Sequence, residues 1–356
     1  MIFIHDIKTA YMEKYGKILA ANHIPYEYID SQDPGFWDKI RNAELFINYL
    51  QMGTGQLLRQ HHLVCVIEQV LGIPCFPNWK TTWHYDDKVA ETLLMDAVQY
   101  PLIESHVFWQ RDKAMQWAAN AVYPQVFKLK NGASSINVIK VENRQQAERL
   151  IRRMFGKGIN NNRVPGSNLF SIYKRKPEKL IKATLAYTLD RLGLRYSALD
   201  NYDREHGYIL FQRFIPNNHH DTRIHVIGKS AFALRRKNRP NDFRASGAGK
   251  IDFTPEKIDL RMVELAIKIS NDLGFNAMTY DFLIDEQGNP VINEIGCQYA
   301  DWAPYSFPGY WDEKLTWHPG HFWPQYIQLK YMLQRDDLQQ PEIPFIHPKG
   351  YTFVKF

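Results

Sequence analysis

Cysteine is scarce: Cys65, Cys75 and Cys297 are the only 3 in 356 residues. An odd number with no metal-ligand spacing argues against a disulfide framework and points to a reducing compartment. No apolar run approaches the ~20 residues that span a bilayer. The chain starts on a strand-like Ile-Phe-Ile-His, without a signal-peptide pattern. A soluble cytoplasmic protein with no membrane partner is the expectation. An excess of one charge is lacking too. The 44 Lys and Arg against 38 Asp and Glu leave +6, enough to help draw an anionic ligand but not the footprint of a nucleic-acid binder. There is no internal repeat and no low-complexity tract. What is present is an ordinary globular composition, 45% hydrophobic and 14% aromatic, long enough for two or three domains.

The first hundred residues alternate two periodicities. Residues 2–5, 23–30 and 44–50 read as strands. Residues 8–22 carry Tyr11, Tyr15, Ile18 and Leu19 at helical spacing, residues 36–41 form a short helix, and residues 56–71 form a second long amphipathic one. Strands alternating with helices predict a mainly parallel sheet. Met52-Gly-Thr-Gly55 lies at a strand-to-helix junction, where backbone N–H groups face an anion or simply make a tight turn. His61 and His62 point to different sides of their helix and read as surface polar groups. The prolines and asparagine of residues 72–78 mark a boundary. Residues 81–87 lead into a helix. Asp86 and Asp87 suit its N-terminus, whereas Lys88 opposes the dipole unless an anion is nearby.

Residues 101–108 are an extended connection, 113–121 a helix, 123–130 and 138–141 strands, and 145–155 a helix. The small-residue loop Asn131-Gly-Ala-Ser-Ser-Ile-Asn137 lets backbone N–H groups approach phosphate oxygens that Lys128 on the adjoining strand neutralises. An ordinary hairpin with a solvated lysine is the other reading. Residues 156–168 read as a mobile loop, and the basic run 174–179 as a solvated face.

Residues 207–215 form a strand ending in Phe211-Gln-Arg-Phe-Ile-Pro216. The hairpin of residues 221–227 and 230–236 turns at Gly228-Lys229. That register puts Asp221 opposite Arg236, with Arg223 and His225 on the face of Asp221. From residue 229 to 250 the bases Lys229, Arg235, Arg236, Lys237, Arg239, Arg244 and Lys250 face one acid, Asp242, a density that suits a polyphosphate or acyl phosphate. Thr254 as N-cap and Pro255 at the first helical position open a helix to about residue 273. A second hairpin follows, turning at Asp285-Glu-Gln-Gly-Asn-Pro290. Counting back from its tip places Asp281 opposite Glu294. Without metal their repulsion is expected to raise the pKa of at least one. A divalent cation would reverse the sign, and oxygen ligation of this kind suits Mg²⁺. The aromatics of residues 301–311 and 317–323 either line an acceptor pocket or pack the C-terminal segment; packing is preferred.

Taken in this order, the lysine after Asp-Asp, the strand lysine, the small-residue loop, the apolar hinge, the basic hairpin, Asp242-Phe-Arg244, the helix and the Asp281/Glu294 pair resemble the ATP-grasp superfamily. Residues 86–298 carry the resemblance, which is nearest to carboxylate–amine ligases of the ribosomal-protein glutamate ligase and glutathione synthetase type. It implies an α/β (α+β) chain with an ATP-grasp fold. Residues 1–85 would be a mainly parallel pre-grasp domain, 86–208 the central grasp subdomain with its phosphate flap, and 209–356 the C-terminal subdomain with the magnesium site.

It also implies ATP and Mg²⁺ as cofactors. Lys88, Lys128, Ser134 and Ser135 would meet the nucleotide phosphates, and the backbone of Gln212, Arg213, Phe214 and Ile215 would read adenine. Arg223 and Arg244 would stabilise the transferred phosphoryl group or acyl phosphate, and Asp281 and Glu294 would hold the metal. The reaction implied is ADP-forming amide or peptide ligation through an acyl phosphate. Its partners are a small-molecule or peptide carboxylate and an amine acceptor, with a homodimer left open. A grasp-fold small-molecule kinase and a non-catalytic nucleotide-binding module are the alternatives; Arg244 with Ser246 beside Asp281 favours the ligase. Three departures stand out. The flap has one glycine, Arg213 replaces an acidic residue at the hinge, and the family's Glu-x-Asn reads Glu294-Ile-Gly296. Gln298, taken as lying on the same strand face, is the expected substitute for the missing amide oxygen; otherwise the site holds a single Mg²⁺.

Overall fold

The computed structural model of the chain describes residues 1–51, 54–131, 138–160, 204–240, 242–243 and 249–356. Ser134, Ser135, Arg244, Ser246 and residues 161–168 and 174–179 lie outside the described residues. Two compact units result. One comprises Met1–Tyr85, Leu94–Leu102 and Ile215–Phe356, the other Asp86–Leu93 and Ile103–Phe214.

The first unit opens with β1 (Ile2–His5), α1 (Ala10–Ala21), β2 (Tyr26–Ile29), α2 (Phe36–Ile40), β3 (Leu45–Ile47), α3 (Thr54–Cys65), β4 (Cys75–Phe76) and α4 (Trp79–Thr82). Its sheet has the order β2-β1-β3-β4 and is parallel throughout. β1 is buried along its whole length, as a strand covered on both faces must be. α1 lays Met12, Tyr15, Ile18 and Leu19 into the core, and the Thr9 hydroxyl caps its start by accepting from the Met12 N–H. The expected boundary at residues 72–78 instead contains the edge strand β4. It is too short for an alternating pattern to show.

The second unit holds the start of α5 (Lys88–Val98), then β5 (Ser105–Phe108), α6 (Arg111–Asn120), β6 (Gln125–Lys128), β7 (Val138–Val141), α7 (Arg144–Met154), β8 (Ile159–Asn160), β9 (Arg204–Glu205) and β10 (Ile209–Arg213). The order β5-β10-β6-β7 makes an antiparallel sheet. Ala114, Ala118, Ala147, Ile151 and Met154 pack with Phe127 and Phe211 in its core. The extended connection of residues 101–108 thus becomes an edge strand, and β8, expected to be loop, pairs with β9.

The chain then returns to the first unit with β11 (His220–Ile227), β12 (Ser230–Lys237), β13 (Lys250–Asp252), α8 (Leu260–Leu273), β14 (Ala277–Ile284), β15 (Pro290–Gly296), α9 (Trp302–Ser306), β16 (Gly309–Trp311), β17 (Trp317–Pro319), α10 (Pro324–Leu333) and β18 (Thr352–Phe353). The path β15-β14-β11-β12-β13-β18 runs through its larger sheet. α8 buries Met262, Val263, Ala266, Ile267 and Ile269 in the same core as Ile224, Val226, Tyr280 and Phe282. The helix starts later than its sequence suggests. Pro255–Lys257 is only a 3₁₀ turn, Thr254 makes no cap, and Asp259 caps α8 through the Arg261 N–H. The aromatic segment packs: Phe307, Trp311 and Trp323 are buried, and Tyr305 stacks on Trp323 with ring centroids 4.0 Å apart.

Candidate functional site

In the second unit, Asp87 accepts from the Val89 and Ala90 N–H groups at 3.0 and 3.1 Å, which fixes the start of α5. The Lys88 N–H donates to the Lys130 carbonyl at 2.9 Å, tying that helix start to the chain just beyond β6. Lys88 and Lys128 are both buried. Burying an ammonium is costly without compensating polar groups, and both side chains have interactions within the fold. Gln212 and Arg213 end β10. Gln212 donates to the Ser105 hydroxyl at 3.2 Å, and the Arg213 N–H to the Glu104 carbonyl at 2.8 Å. The Arg213 amide therefore belongs to the sheet, and any base-reading donor lies further along. The Phe214 ring carries the Lys140 ammonium 4.5 Å from its centroid. Ile215 is buried at the start of the next segment of the first unit.

In the first unit, three strands align Arg223 of β11, Asp281 of β14 and Glu294 of β15 in one row. The Asp281–Glu294 pairing agrees with the sequence count, but the route differs. Ile284 pairs with Pro290 and Phe282 with Ile292, a register that would set Asp281 against Asn293. A bulge between Asp281 and Phe282 shifts the partner to Glu294.

At Asp281 the electrostatics run opposite to the expected rise. Arg223 grips Asp281 with both arms of its guanidinium, Nε to Oδ1 at 2.6 Å and Nη2 to Oδ2 at 2.7 Å. Nη2 of Arg236 reaches the same Oδ2 at 2.7 Å. Arg236 also grips Asp221 through Nε at 2.8 Å and through Nη2. Asp281 and Asp221 are 5% and 1% exposed. Burial pushes the Asp281 carboxyl up, but the charges and hydrogen bonds of Arg223 and Arg236 outweigh it and hold the carboxyl well below the usual carboxylate range. Repulsion from Glu294 does not govern it. His225, next along β11 on the same face, is buried, and neither ring nitrogen has a hydrogen-bond partner among the described residues. Burial and the arginine charges keep its imidazole neutral.

No three His, Cys, Asp or Glu side chains gather as a metal cage among the described residues. A carboxylate offers about four lone-pair sites, and Asp281 has three N–H groups on it, so it has one to offer. Glu294 is half-buried on the facing strand. This donor set fits one Mg²⁺ that keeps waters and phosphate oxygens as its other ligands, as Mg²⁺ commonly does. Gln298 lies past the end of β15, so the strand-face argument for it fails. At Gly296 a Cβ would meet only the Thr279 hydroxyl oxygen, at 3.6 Å; the position has room that its residue leaves unused. Sequence reasoning paired Arg236 with Asp221 but missed its second bond to Asp281, because nothing local shows that β14 lies beside β11.

No family model matches the chain, and no curated protein matches it. Solved structures do resemble it. The RimK domain ATP-grasp protein of Sphaerobacter thermophilus DSM 20745 is 12% identical over 93% of this chain and 99% of its own, with a TM-score of 0.52. The biotin carboxylase domain of the Hydrogenobacter thermophilus 2-oxoglutarate carboxylase, in complex with MgADP, ADP and bicarbonate, is 15% identical over 94% of this chain and 69% of its own, with a TM-score of 0.54. The ATP-grasp ligase PsnB, complexed with a phosphomimetic variant of its minimal precursor, Mg and ADP, is 14% identical over 84% and 90%, with a TM-score of 0.51. At these identities the likeness carries the fold, and the chain has the ATP-grasp fold.

Proposed function

We propose that the chain is an ATP-dependent, ADP-forming ligase that activates a carboxylate as an acyl phosphate and passes it to an amine. The observation that carries the reading is the Arg223–Asp281–Glu294 row, backed by Arg236, on an ATP-grasp fold. A loose phosphoryl transition state needs fixed positive charge and positioning more than covalent help. Guanidiniums already locked by buried carboxylates supply such charge without reorganising. Lys88 and Lys128 are the residues assigned to the nucleotide phosphates, joined by Ser134 and Ser135, with Phe214 and Ile215 beside the base. Glu294, with one oxygen of Asp281, would hold Mg²⁺, which when bound neutralises phosphate charge. Arg223 and Arg244 would steady the phosphoryl group. The biotin carboxylase domain and PsnB hold ADP and magnesium in their own structures, which supports the same pair of ligands here. A cytoplasmic setting fits ATP chemistry, and no helix among the described residues is long and apolar enough to cross a membrane.

The test is to incubate the protein with Mg²⁺–ATP, pooled carboxylic acids and hydroxylamine. Hydroxamate with ADP is the expected outcome. A stable phosphorylated product without hydroxamate would mean a kinase, and AMP with pyrophosphate would exclude the ADP-forming route. Lys128→Ala is expected to weaken ATP binding by about 1.5–3 kcal/mol, the worth of a hydrogen bond to a charged group. Unchanged affinity by calorimetry in a folded variant would remove Lys128 from the site.

A further inference from the structure

The parallel sheet of the first unit carries a cavity that the proposed chemistry leaves unused. It lies at the carboxyl ends of the strands: His5, Asp6, Ile7 and Lys8 follow or end β1, Asp30 and Gln32 follow β2, and Gln51 and Arg59 come after β3. From β1 the chain goes to β2 on one side, and β3 lies on the other. Loops diverging from a central strand in this way open a crevice where ligands of α/β sheets bind. The cavity measures about 590 Å³, room for one small molecule.

Its charges select the class of molecule. Lys8 and Asp6 satisfy each other at 2.6 Å. His5 has both ring nitrogens engaged. Nδ1 donates to the Asn48 side-chain Oδ1 at 2.8 Å, which leaves Nε2 to accept from the Ser31 hydroxyl at 3.1 Å. Arg59 and Asp30 remain. Among the described residues neither has an ion-pair partner, and they do not pair with each other; the Arg59 Nε is buried with no acceptor. A buried charged donor left without an acceptor is costly. Asp30 accepts from the Gln32 N–H at 2.9 Å but, like Arg59, has no ion-pair partner among the described residues, so the lining presents one positive and one negative charge and sums to neutral. The phosphates of a nucleotide would meet both aspartates, Asp6 and Asp30. A molecule with one anionic and one cationic end satisfies both walls.

We infer that this cavity binds a free α-amino acid zwitterion, its carboxylate on Arg59 and its ammonium toward Asp30. The inference is independent of the ligase reading. Titration calorimetry of the full chain with the common L-amino acids, each alone, tests it, with propionate, ethylamine and inorganic phosphate as controls. At least one amino acid is expected to bind, and Arg59→Gln and Asp30→Asn are each expected to weaken it roughly tenfold or more, the scale of one charge-assisted contact. Propionate and ethylamine, each lacking one charge, are expected to bind far more weakly. Both variants should keep the wild-type circular-dichroism spectrum and a cooperative melt, which reports that they fold. If Arg59→Gln does not fold, Arg59→Lys keeps the charge and loses the fork, and is expected to bind more weakly than wild type. No amino acid binding to wild type would overturn the inference, as would equal binding by wild type and both variants. Phosphate binding that Arg59→Gln abolishes and Asp30→Asn spares, without amino acid binding, would reduce the cavity to an anion site.

Discussion

Asp281 takes three hydrogen bonds from Arg223 and Arg236, with Glu294 on the strand beside it. Its opposition to Glu294 is legible, since it follows from a turn and a count. Its ion pairs with Arg223 and Arg236 are not, since they need three strands assembled in a particular order. The consequence for stability reverses sign. Removing one of two repelling carboxylates would leave the fold as stable or more so. Removing the carboxylate that Arg223 and Arg236 share takes the carboxylate from Arg223 and leaves Arg236 on Asp221 alone. Asp281→Asn is therefore expected to destabilise the protein, by up to about 3–5 kcal/mol, the range for broken buried ion pairs. The pH dependence follows from a folded pKa held low. Such a group contributes stability that is present above its unfolded pKa, about 3.9, and is lost as pH falls toward the folded value. Urea melts of wild type and Asp281→Asn should thus differ most above about pH 5 and converge as the pH drops below about 4. A gap that does not change with pH would show that packing, not the charge, separates them.

At the scale of elements, hairpins were legible and helix starts were less so. The register of β11 and β12, Asp221 against Arg236, follows from a two-residue turn, because chain continuity leaves little freedom. Thr254-Pro255 has the right composition for the start of α8 but serves another bond. The Thr254 hydroxyl donates to Asp252 at 2.5 Å, and Asp252 also accepts from Arg235. The true cap is Asp259, which accepts from the Arg261 N–H at 3.0 Å. Asp259→Ala is expected to cost about 0.5–2 kcal/mol and to raise amide exchange in the first turn of α8. Thr254→Ala is expected to leave exchange in that turn unchanged. Equal effects there would return the cap to Thr254. The bulge that sets Asp281 against Glu294 was invisible for a related reason: one extra residue in a strand leaves no mark in composition.

For the whole molecule, the units do not follow the order of the chain. Asp86–Leu93 belongs with one and Leu94–Leu102 with the other, so the single helix α5 carries residues of both. Since one helix holds both sets, no shift in composition, proline or glycine marks the division, and sequence reading has nothing to catch. The cores are nonetheless separate. Ile151, Phe127 and Phe211 sit in one, and Ile224, Met262 and Tyr280 in another. Units with their own cores open as units, so a cavity in one should loosen that unit and spare the other. Ile151→Ala is expected to cost about 2–5 kcal/mol. Hydrogen exchange read by mass spectrometry should then speed up in peptides from residues 103–131, 138–160 and 204–214, and stay at the wild-type rate in peptides from residues 215–240 and 249–356. Faster exchange in both sets by the same factor would mean that the two cores open together, and that the chain is one cooperative unit.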